Sequence, residues 1–548
     1  MERNKYWTGR RVLPALGAAV LAAALGVAAI VSPAQTAAAA TLSSSAETED
    51  FQAAYYDDDY AYLGDEDSVY DSLTLEKAYY LFQQEGNYLI LFGGSWCGNT
   101  TPVIGYINEV AKEYGVETIY NLDFRLDGTN RSSHVRETNG ASYDGASYNY
   151  LYGEIVTRYL TNLNDYVEYT VDSSSALTYT DADGEEVTVP KVQVPFLFLY
   201  NKDNVDGNGD SAPIVAGYEK MKSRSDFVTD DEEDEEAIEA YKEELVENVF
   251  AAVEQVTLSS FTDADYIRIA YNEKSGVTLF EESDQINIEI ITYKQLEWLL
   301  QQEGNYLFLF GGSWCGNTQA VISIINDFAV ANDVTVYNFD TKLDGGYAKA
   351  YWGYSKDLHI RDNDSEFANL YVDLVTTYLT NIETEYDKDT NGIYYTDSDG
   401  NTVTANKLQV PYFFAYNKDA VDAYAHSTPI LEYVEKMFYL FDETSDYYDY
   451  SIYKSENYSE YVEAAYAVIE AYAEQTGQTA VNIIESATDT EESDSTASTD
   501  DEAAVSESED EADSGAVVKI VAAIAVVVVV AGVIVGVVLW SKRKGKKE

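Results

Sequence analysis

Cysteine and histidine are nearly absent from this sequence, with two and three residues in a chain of 548. So few soft and imidazole ligands exclude a Cys/His metal cluster, and no metal site is expected. Basic residues are also few, 34 Lys and Arg against 96 Asp and Glu, giving a formal charge of −62. That excess repels nucleic acid and excludes any partner held through a phosphate backbone. Cations and basic proteins are its natural counterparts, and the plain consequence is solubility in a salty exterior. No Ser/His/Asp order, phosphate-binding glycine loop or paired-carboxylate signature is present, and no cofactor is expected. What the chain does have is 46% apolar residues, enough for folded cores. It also has 49 tyrosines, many of them beside Asp or Glu.

The two ends set an expected topology. Arg3, Lys5, Arg10 and Arg11 precede an apolar run, Val12 to Val31, and a small-residue stretch that ends at Ala40. This pattern describes a secretory signal peptide over residues 1–40. An acidic, Tyr-rich segment follows at 41–70. Near the other end, Ile520 to Trp540 carries no charge and is long enough as a helix to span a bilayer core. Lys542, Arg543, Lys544, Lys546 and Lys547 follow it, and basic residues stay on the cytoplasmic side. The expectation is a transmembrane helix over 516–540, a cytoplasmic tail over 541–548 and everything earlier outside the cell membrane. Residues 483–515 are mostly Ser, Thr, Asp, Glu and Ala, a composition too polar to fold and suited to a flexible stalk.

An internal duplication organises the rest. QQEGNYLILFGGSWCGNT, Gln83 to Thr100, recurs as QQEGNYLFLFGGSWCGNT, Gln301 to Thr318, with Ile90 against Phe308 the one difference. LYGEIVTRYLTN recurs as LYVDLVTTYLTN, and VQVPFLFLYNKD as LQVPYFFAYNKD, which places Pro195 opposite Pro411. Matched blocks in one order over so long a period mean a duplicated domain, not a short-repeat solenoid. The continuous apolar run Tyr88 to Phe92 predicts a buried strand. Helical spacing follows over Pro102 to Tyr114, a strand over Val116 to Phe124, a helix over Leu151 to Leu163, a strand over Val194 to Tyr200 and a helix over Glu236 to Val256. Strands alternating with helices indicate an α/β class with at least one parallel pair.

The run Phe92-Gly-Gly-Ser-Trp-Cys-Gly-Asn-Thr100, at a strand end and opening a helix, resembles the thioredoxin active-site segment Trp-Cys-Gly-x-Cys. Val194-Pro195 and Val410-Pro411, each leading into an apolar strand, resemble that family's cis-proline step. The resemblance implies two tandem thioredoxin-like domains, 71–258 and 259–482, each a central mixed sheet flanked by helices. It implies Cys97 and Cys315 as catalytic cysteines, Trp96 and Trp314 as shields of the sulfur, and the Val194-Pro195 and Val410-Pro411 edges as places where an extended peptide binds. The departures narrow the chemistry. Thr100 and Thr318 replace the second motif cysteine, so no disulfide forms within either motif. The family's buried acid has no counterpart in the strands around Leu91 and Leu309. Roughly fifty extra residues separate motif from proline, far beyond the short connections typical of α/β units.

A cysteine at a helix N-terminus faces unpaired N–H groups and the positive dipole end, which favour thiolate. One turn on, the Thr100 and Thr318 hydroxyls are placed to support it. A lone thiol attacks disulfides but does not resolve the product itself, so isomerase, mixed-disulfide holdase or small-thiol chemistry is implied rather than a dithiol cycle. The partners implied are exported protein or peptide thiols and disulfides. Two alternatives stand beside this: a non-catalytic surface module that binds protein partners or cations, and a structural Cys97–Cys315 disulfide, which requires the two domains face to face. Calsequestrin-like proteins also join tandem thioredoxin-like domains to extreme acidity, so weak cation binding through carboxylates such as Asp230 to Glu236 belongs to the second class. Asp387-Lys-Asp-Thr-Asn-Gly392 opens like a calcium loop, but Ser398 stands where the bidentate Glu belongs, so a turn is expected. Asp181-Ala-Asp-Gly184 and Asp397-Ser-Asp-Gly400 read as hairpin turns. His134, His359 and His426 show no equivalence between the copies and are read as surface or core residues.

Overall fold

The computed structural model describes residues 51–64, 67–129, 134–138, 146–229, 232–363, 365–386, 391–435 and 456–483. The expected signal peptide, transmembrane helix and basic tail lie outside these residues, as do all but the first residue of the expected stalk and Asp387 to Thr390 of the calcium-like run. Among the described residues no helix is long and apolar enough to cross a membrane. All of them fall in one compact unit that ends at Ser486.

The first repeat runs α1 (Phe51–Asp59), β1 (Tyr70–Ser72), α2 (Leu75–Leu81), β2 (Tyr88–Phe92), α3 (Ile104–Glu113), β3 (Ile119–Leu122), α4 (Tyr150–Tyr159), β4 (Leu177–Thr180), β5 (Glu186–Val189), β6 (Phe196–Tyr200), β7 (Ile214–Glu219) and α5 (Glu235–Leu245). The second runs α6 (Asp263–Ser275), β8 (Ile288–Ile290), α7 (Tyr293–Leu299), β9 (Tyr306–Phe310), α8 (Gly316–Asn332), β10 (Val336–Phe339), α9 (Ala368–Tyr378), β11 (Ile393–Thr396), β12 (Thr402–Ala405), β13 (Tyr412–Tyr416), β14 (Ile430–Val434) and α10 (Glu456–Thr476). Each repeat builds a five-stranded mixed sheet, ordered β1-β3-β2-β6-β7 and β8-β10-β9-β13-β14. The first three strands of each are parallel, and the last two run antiparallel.

The central strands read YLILF and FLFLY because both of their faces are covered, and every residue of β2 and β6 is buried. Tyr88 pairs with Tyr200 and Phe92 with Phe196, so the motif that follows β2 lies beside the proline that precedes β6. The Asp-x-Asp-Gly turns do close hairpins, β4–β5 and β11–β12, where Gly184 and Gly400 take φ of +87° and +84°. The two repeats differ after the motif. Cys315 is the N-cap residue of α8, whereas regular helix begins in the first repeat at Ile104. Pro102 stands where the second copy has Ala320, and without an N–H it cannot make the intrahelical bond that would start the helix earlier.

α1 occupies the place before β1 that α6 occupies before β8, so part of the Tyr-rich 41–70 segment packs with the first repeat. Tyr56 and Tyr60 donate to Asn121 Oδ1 on β3 at 2.9 and 3.0 Å. The repeats clasp one another reciprocally. From the first, α1 meets α7: Trp298 Nε1 donates to Asp58 at 3.0 Å, and its ring packs against Phe51 and edge-on to Tyr55. From the second, α6 meets α2: Asp263 pairs with the buried Lys77 at 2.5 Å, and Tyr266 donates to Glu76 at 2.7 Å. Glu76, 3% exposed, also accepts from Lys274 and from Ser313 of the second motif at 3.0 Å. Beyond these, the Tyr347–Tyr354 segment lies on α2 and α4. Tyr354 stacks on Tyr150 at 3.9 Å, and Trp352 packs against Tyr79 and under Arg158.

Trp352 is buried between the repeats, so Trp352→Ala is expected to lower unfolding free energy by about 3–5 kcal/mol, the range for a lost large aromatic. Urea unfolding followed by circular dichroism measures it. A loss below about 1 kcal/mol would mean that the repeats are held together elsewhere.

Candidate functional site

In each repeat the central strand delivers the chain to two glycines and then to the motif. The glycines are required by crowding. A Cβ on Gly94 would clash with the Asp123 carboxylate and the Trp96 indole, and one on Gly312 with Asp340 and Trp314. A Cβ on Gly93 or Gly311 would press into Thr100 or Thr318. The chain then turns, with Cys97 N donating to Gly94 O and Cys315 N to Gly312 O, both at 3.0 Å. Both cysteines are free thiols, 6% and 8% exposed. Cys97 Sγ donates to the Val194 carbonyl at 3.4 Å, and Cys315 Sγ to the Val410 carbonyl at 3.5 Å. Val194-Pro195 and Val410-Pro411 are cis. The structural Cys97–Cys315 disulfide is thus absent, each sulfur turned to its own proline loop.

Thr100 and Thr318 are fully buried, and their hydroxyls have no hydrogen-bond partner among the described residues. The expected bond from hydroxyl to sulfur is not made, because the side chain packs back over Gly93 or Gly311. The tryptophans bond to carboxylates. Trp96 Nε1 donates to both oxygens of Asp123 at 2.9 Å, and Trp314 Nε1 to those of Asp340 at 2.9 and 3.0 Å. Arg125 lies 3.6 Å over the Trp96 ring and Lys342 3.8 Å over Trp314. The strands before the motifs, YLILF and YLFLF, carry no acid, as expected, and these partly buried carboxylates are a different pair. They come from the end of the next parallel strand, β3 or β10, and not from the strand before the motif. Burial pushes Asp123 and Asp340 each up to about 7; for Asp340 the neighbouring Glu76 carboxylate adds to the rise. The sequence signal was the repeated Asn-x-Asp of Asn121–Asp123 and Asn338–Asp340, hidden because one acid in a polar-rich chain attracts no notice.

His134 and His359 are equivalent after all. Each bridges back to the residue two beyond the aspartate, Arg125 or Lys342, and lies 5.8 or 5.7 Å from its tryptophan ring. Sequence alignment missed this because the loops that carry them differ in length and residue type. Burial holds both imidazoles neutral, lowering His134 to about 4 and His359 to about 3. His426 differs: it is exposed, beside Asp422 on the β13–β14 connection.

Two residues past each buried histidine, an arginine reaches the proline loop. Arg136 donates to Val192 O and Arg361 to Leu408 O. Tyr152 Oη accepts from Val192 N at 2.8 Å, as Tyr371 Oη does from Leu408 N at 2.9 Å. On the other side Glu219 accepts from Gln193 N at 2.6 Å, and Glu435 from Gln409 N. Burial raises both glutamates above the usual carboxylate range. The insertions between motif and proline therefore build the wall of the cysteine site.

Behind the motifs, the two repeats enclose a cavity of about 70 Å³. Asn121, Asp123 and Arg125 line it from one side, Asn338, Asp340 and Lys342 from the other. The repeats thus face each other across their aspartates rather than across their cysteines. Among the described residues no group of three or more His, Cys, Asp or Glu side chains is arranged to hold a metal ion. Of the acidic run 230–236, the described residues form a short strand and the start of α5, with Asp234 as its N-cap.

No protein-family model and no curated protein matches the chain. Among solved structures, the zinc-bound form of human ERp44 is similar at 10% identity and TM-score 0.14, over 50% of this chain and 48% of that one. ERdj5 in its crystal form I is similar at 10% identity and TM-score 0.14, over 72% of this chain and 30% of that one. The chain thus spans about half, or less, of the proteins it matches. Similarity at that level leaves function to be read from the residues themselves.

A carboxyl whose pKa is near 7 in the folded chain and near 4 unfolded stabilises the fold below pH 4 and loses that contribution as pH rises through 7. Asp123→Asn and Asp340→Asn keep an oxygen for the indole N–H and are expected to gain stability at pH 8 relative to pH 5, by up to about 2.5 kcal/mol each. Urea midpoints across that range read the change. A pH-independent difference would show that these carboxyls titrate normally.

Proposed function

We propose that this chain is a membrane-held, exported protein with two thioredoxin-like domains, whose Cys97 and Cys315 carry out monothiol thiol–disulfide exchange. One observation carries the reading: in both repeats a free thiol at the end of the central strand lies against the carbonyl that precedes a proline-led strand. Both copies of the duplicated domain keep the same 3.4–3.5 Å contact. A sulfur so placed attacks a disulfide that reaches it and holds the product as a mixed disulfide, because no second cysteine stands near to release it. This fits isomerase, mixed-disulfide holdase or small-thiol chemistry and excludes a dithiol cycle within one motif. The membrane placement rests on the sequence of the two ends, and the acidic surface suits an exterior site.

A second reading is favoured by the burial of both sulfurs: a binding module in which the thiols are inert. Iodoacetamide alkylation of full-length Cys97→Ser and Cys315→Ser forms between pH 5 and 10 separates the two. Exchange chemistry predicts alkylation of the remaining thiol with a midpoint well below about 8.5, the ordinary cysteine value. Thiols that react only after unfolding would leave the binding module. For placement, carbonate washing and protease treatment of intact cells are expected to leave the chain in the membrane with its domains digested from outside.

A further inference from the structure

We propose that each cysteine exchanges with low-molecular-weight disulfides and not with extended peptides. The inference rests on the exchange reading above and names its substrate class. A peptide that binds beside the proline loop must pair with backbone N–H and C=O groups on one edge of the segment. In an extended segment the groups of Val192 and Val194 share that edge, and those of Lys191 and Gln193 face the opposite one.

The sulfur side is already occupied. Val192 N donates to Tyr152 Oη, Val192 O accepts from Arg136, and Val194 O accepts from the Cys97 thiol. The N–H groups of the far side are taken as well. Lys191 N donates to Tyr169 O at 2.9 Å and Gln193 N to Glu219. The second repeat repeats the arrangement with different residues around the same tyrosine, arginine and glutamate: Leu408 with Tyr371 and Arg361, and Gln409 with Glu435. Pairing with an incoming strand would displace a buried arginine and a buried tyrosine hydroxyl, leaving both unpaired. That leaves one residue's worth of edge next to a thiol that is 6% or 8% exposed. Unspent polar capacity close by suits a small molecule. Among the described residues, Nε of Arg136 and of Arg361 is buried without a hydrogen-bond partner, and Arg361 lies within electrostatic reach of Cys315.

Written out, the Cys97 thiol loses its proton to water and the thiolate attacks one sulfur of R–S–S–R. The Cys97–S–S–R bond forms, the R–S–S–R bond breaks, and the departing R–S⁻ takes a proton from water. A second small thiol, R′–SH, then attacks the R sulfur of the mixed disulfide. R–S–S–R′ leaves and the Cys97 thiol returns.

The test compares two reagents with one disulfide chemistry on the full-length single-thiol forms Cys97→Ser and Cys315→Ser. One is 2-hydroxyethyl disulfide; the other is an uncharged extended peptide whose cysteine carries a 2-hydroxyethyl-thio group. Adducts are followed by intact mass. The small reagent is expected to react at least about ten-fold faster, a barrier difference of ~1.4 kcal/mol. Tyr152→Phe in the Cys315→Ser form, and Tyr371→Phe in the Cys97→Ser form, open the capped edge and are expected to bring the ratio toward one. Equal rates for the parent forms would overturn the inference while leaving exchange intact. A ratio unmoved in both tyrosine variants, with folding confirmed by circular dichroism, would overturn the capped edge as its cause. No adduct from either reagent on the folded chain, with both labelling it in urea, would overturn the exchange reading and this inference with it.

Discussion

A buried peptide segment must find a partner for every N–H and C=O it carries, and the stretch entering each proline loop has no full neighbouring strand to supply them. The sheet ends at the motif on one side, and β6 or β13 begins only after the proline. Side chains do the work instead: a tyrosine from α4 or α9, an arginine from the loop behind the aspartate, and a glutamate from the end of β7 or the turn after β14. All of these but Glu219 are themselves buried, so they need a wall of their own. The long insertion between motif and proline is that wall, and the neutral histidine beside each tryptophan lies on it. The sulfur donates to the carbonyl of Val194 or Val410, just before the proline.

The duplication sets a second condition. Each sheet would leave the C-terminal ends of its parallel strands open to water, along with a carboxylate and a cationic residue. Placed face to face, the repeats close those ends on one another around a shared polar cavity. The closure is asymmetric in its chemistry. Glu76 reaches the second motif at Ser313, whereas the matching residue of the second repeat, Lys294, pairs with Asp59 at 3.4 Å. Opposite charges at one repeated position allow a pseudo-symmetric contact without like charges meeting.

The abundance of tyrosine has its account here. Tyr150, Tyr347 and Tyr354 fill the seam between the repeats, and Tyr56, Tyr60, Tyr152, Tyr266 and Tyr371 bury their rings while placing a hydroxyl on a backbone, side-chain amide or carboxylate partner. A residue with an apolar body and one polar tip suits a seam that is both well packed and rich in acids.

The sequence by itself determined the duplication, the strand runs, the hairpin turns, and the place of Cys97, Cys315 and the two prolines. These are local: apolar period, glycine positions and matched blocks write them into short stretches of chain. It could not show Asp123 and Asp340, since an isolated acid becomes a buried one only when the neighbouring strand and tryptophan close over it. It separated His134 from His359, because their equivalence lies in a bridge to β3 or β10 and not in flanking residues. It assigned the threonine hydroxyls to the sulfur from spacing along a helix, whereas packing against Gly93 and Gly311 turned them away. The helix start, too, was decided by one residue, Pro102 against Ala320. The tertiary structure alone decided which backbone groups of the proline loop are already taken, because those partners come from residues twenty to sixty positions away, brought together by the closing of the insertion over the motif.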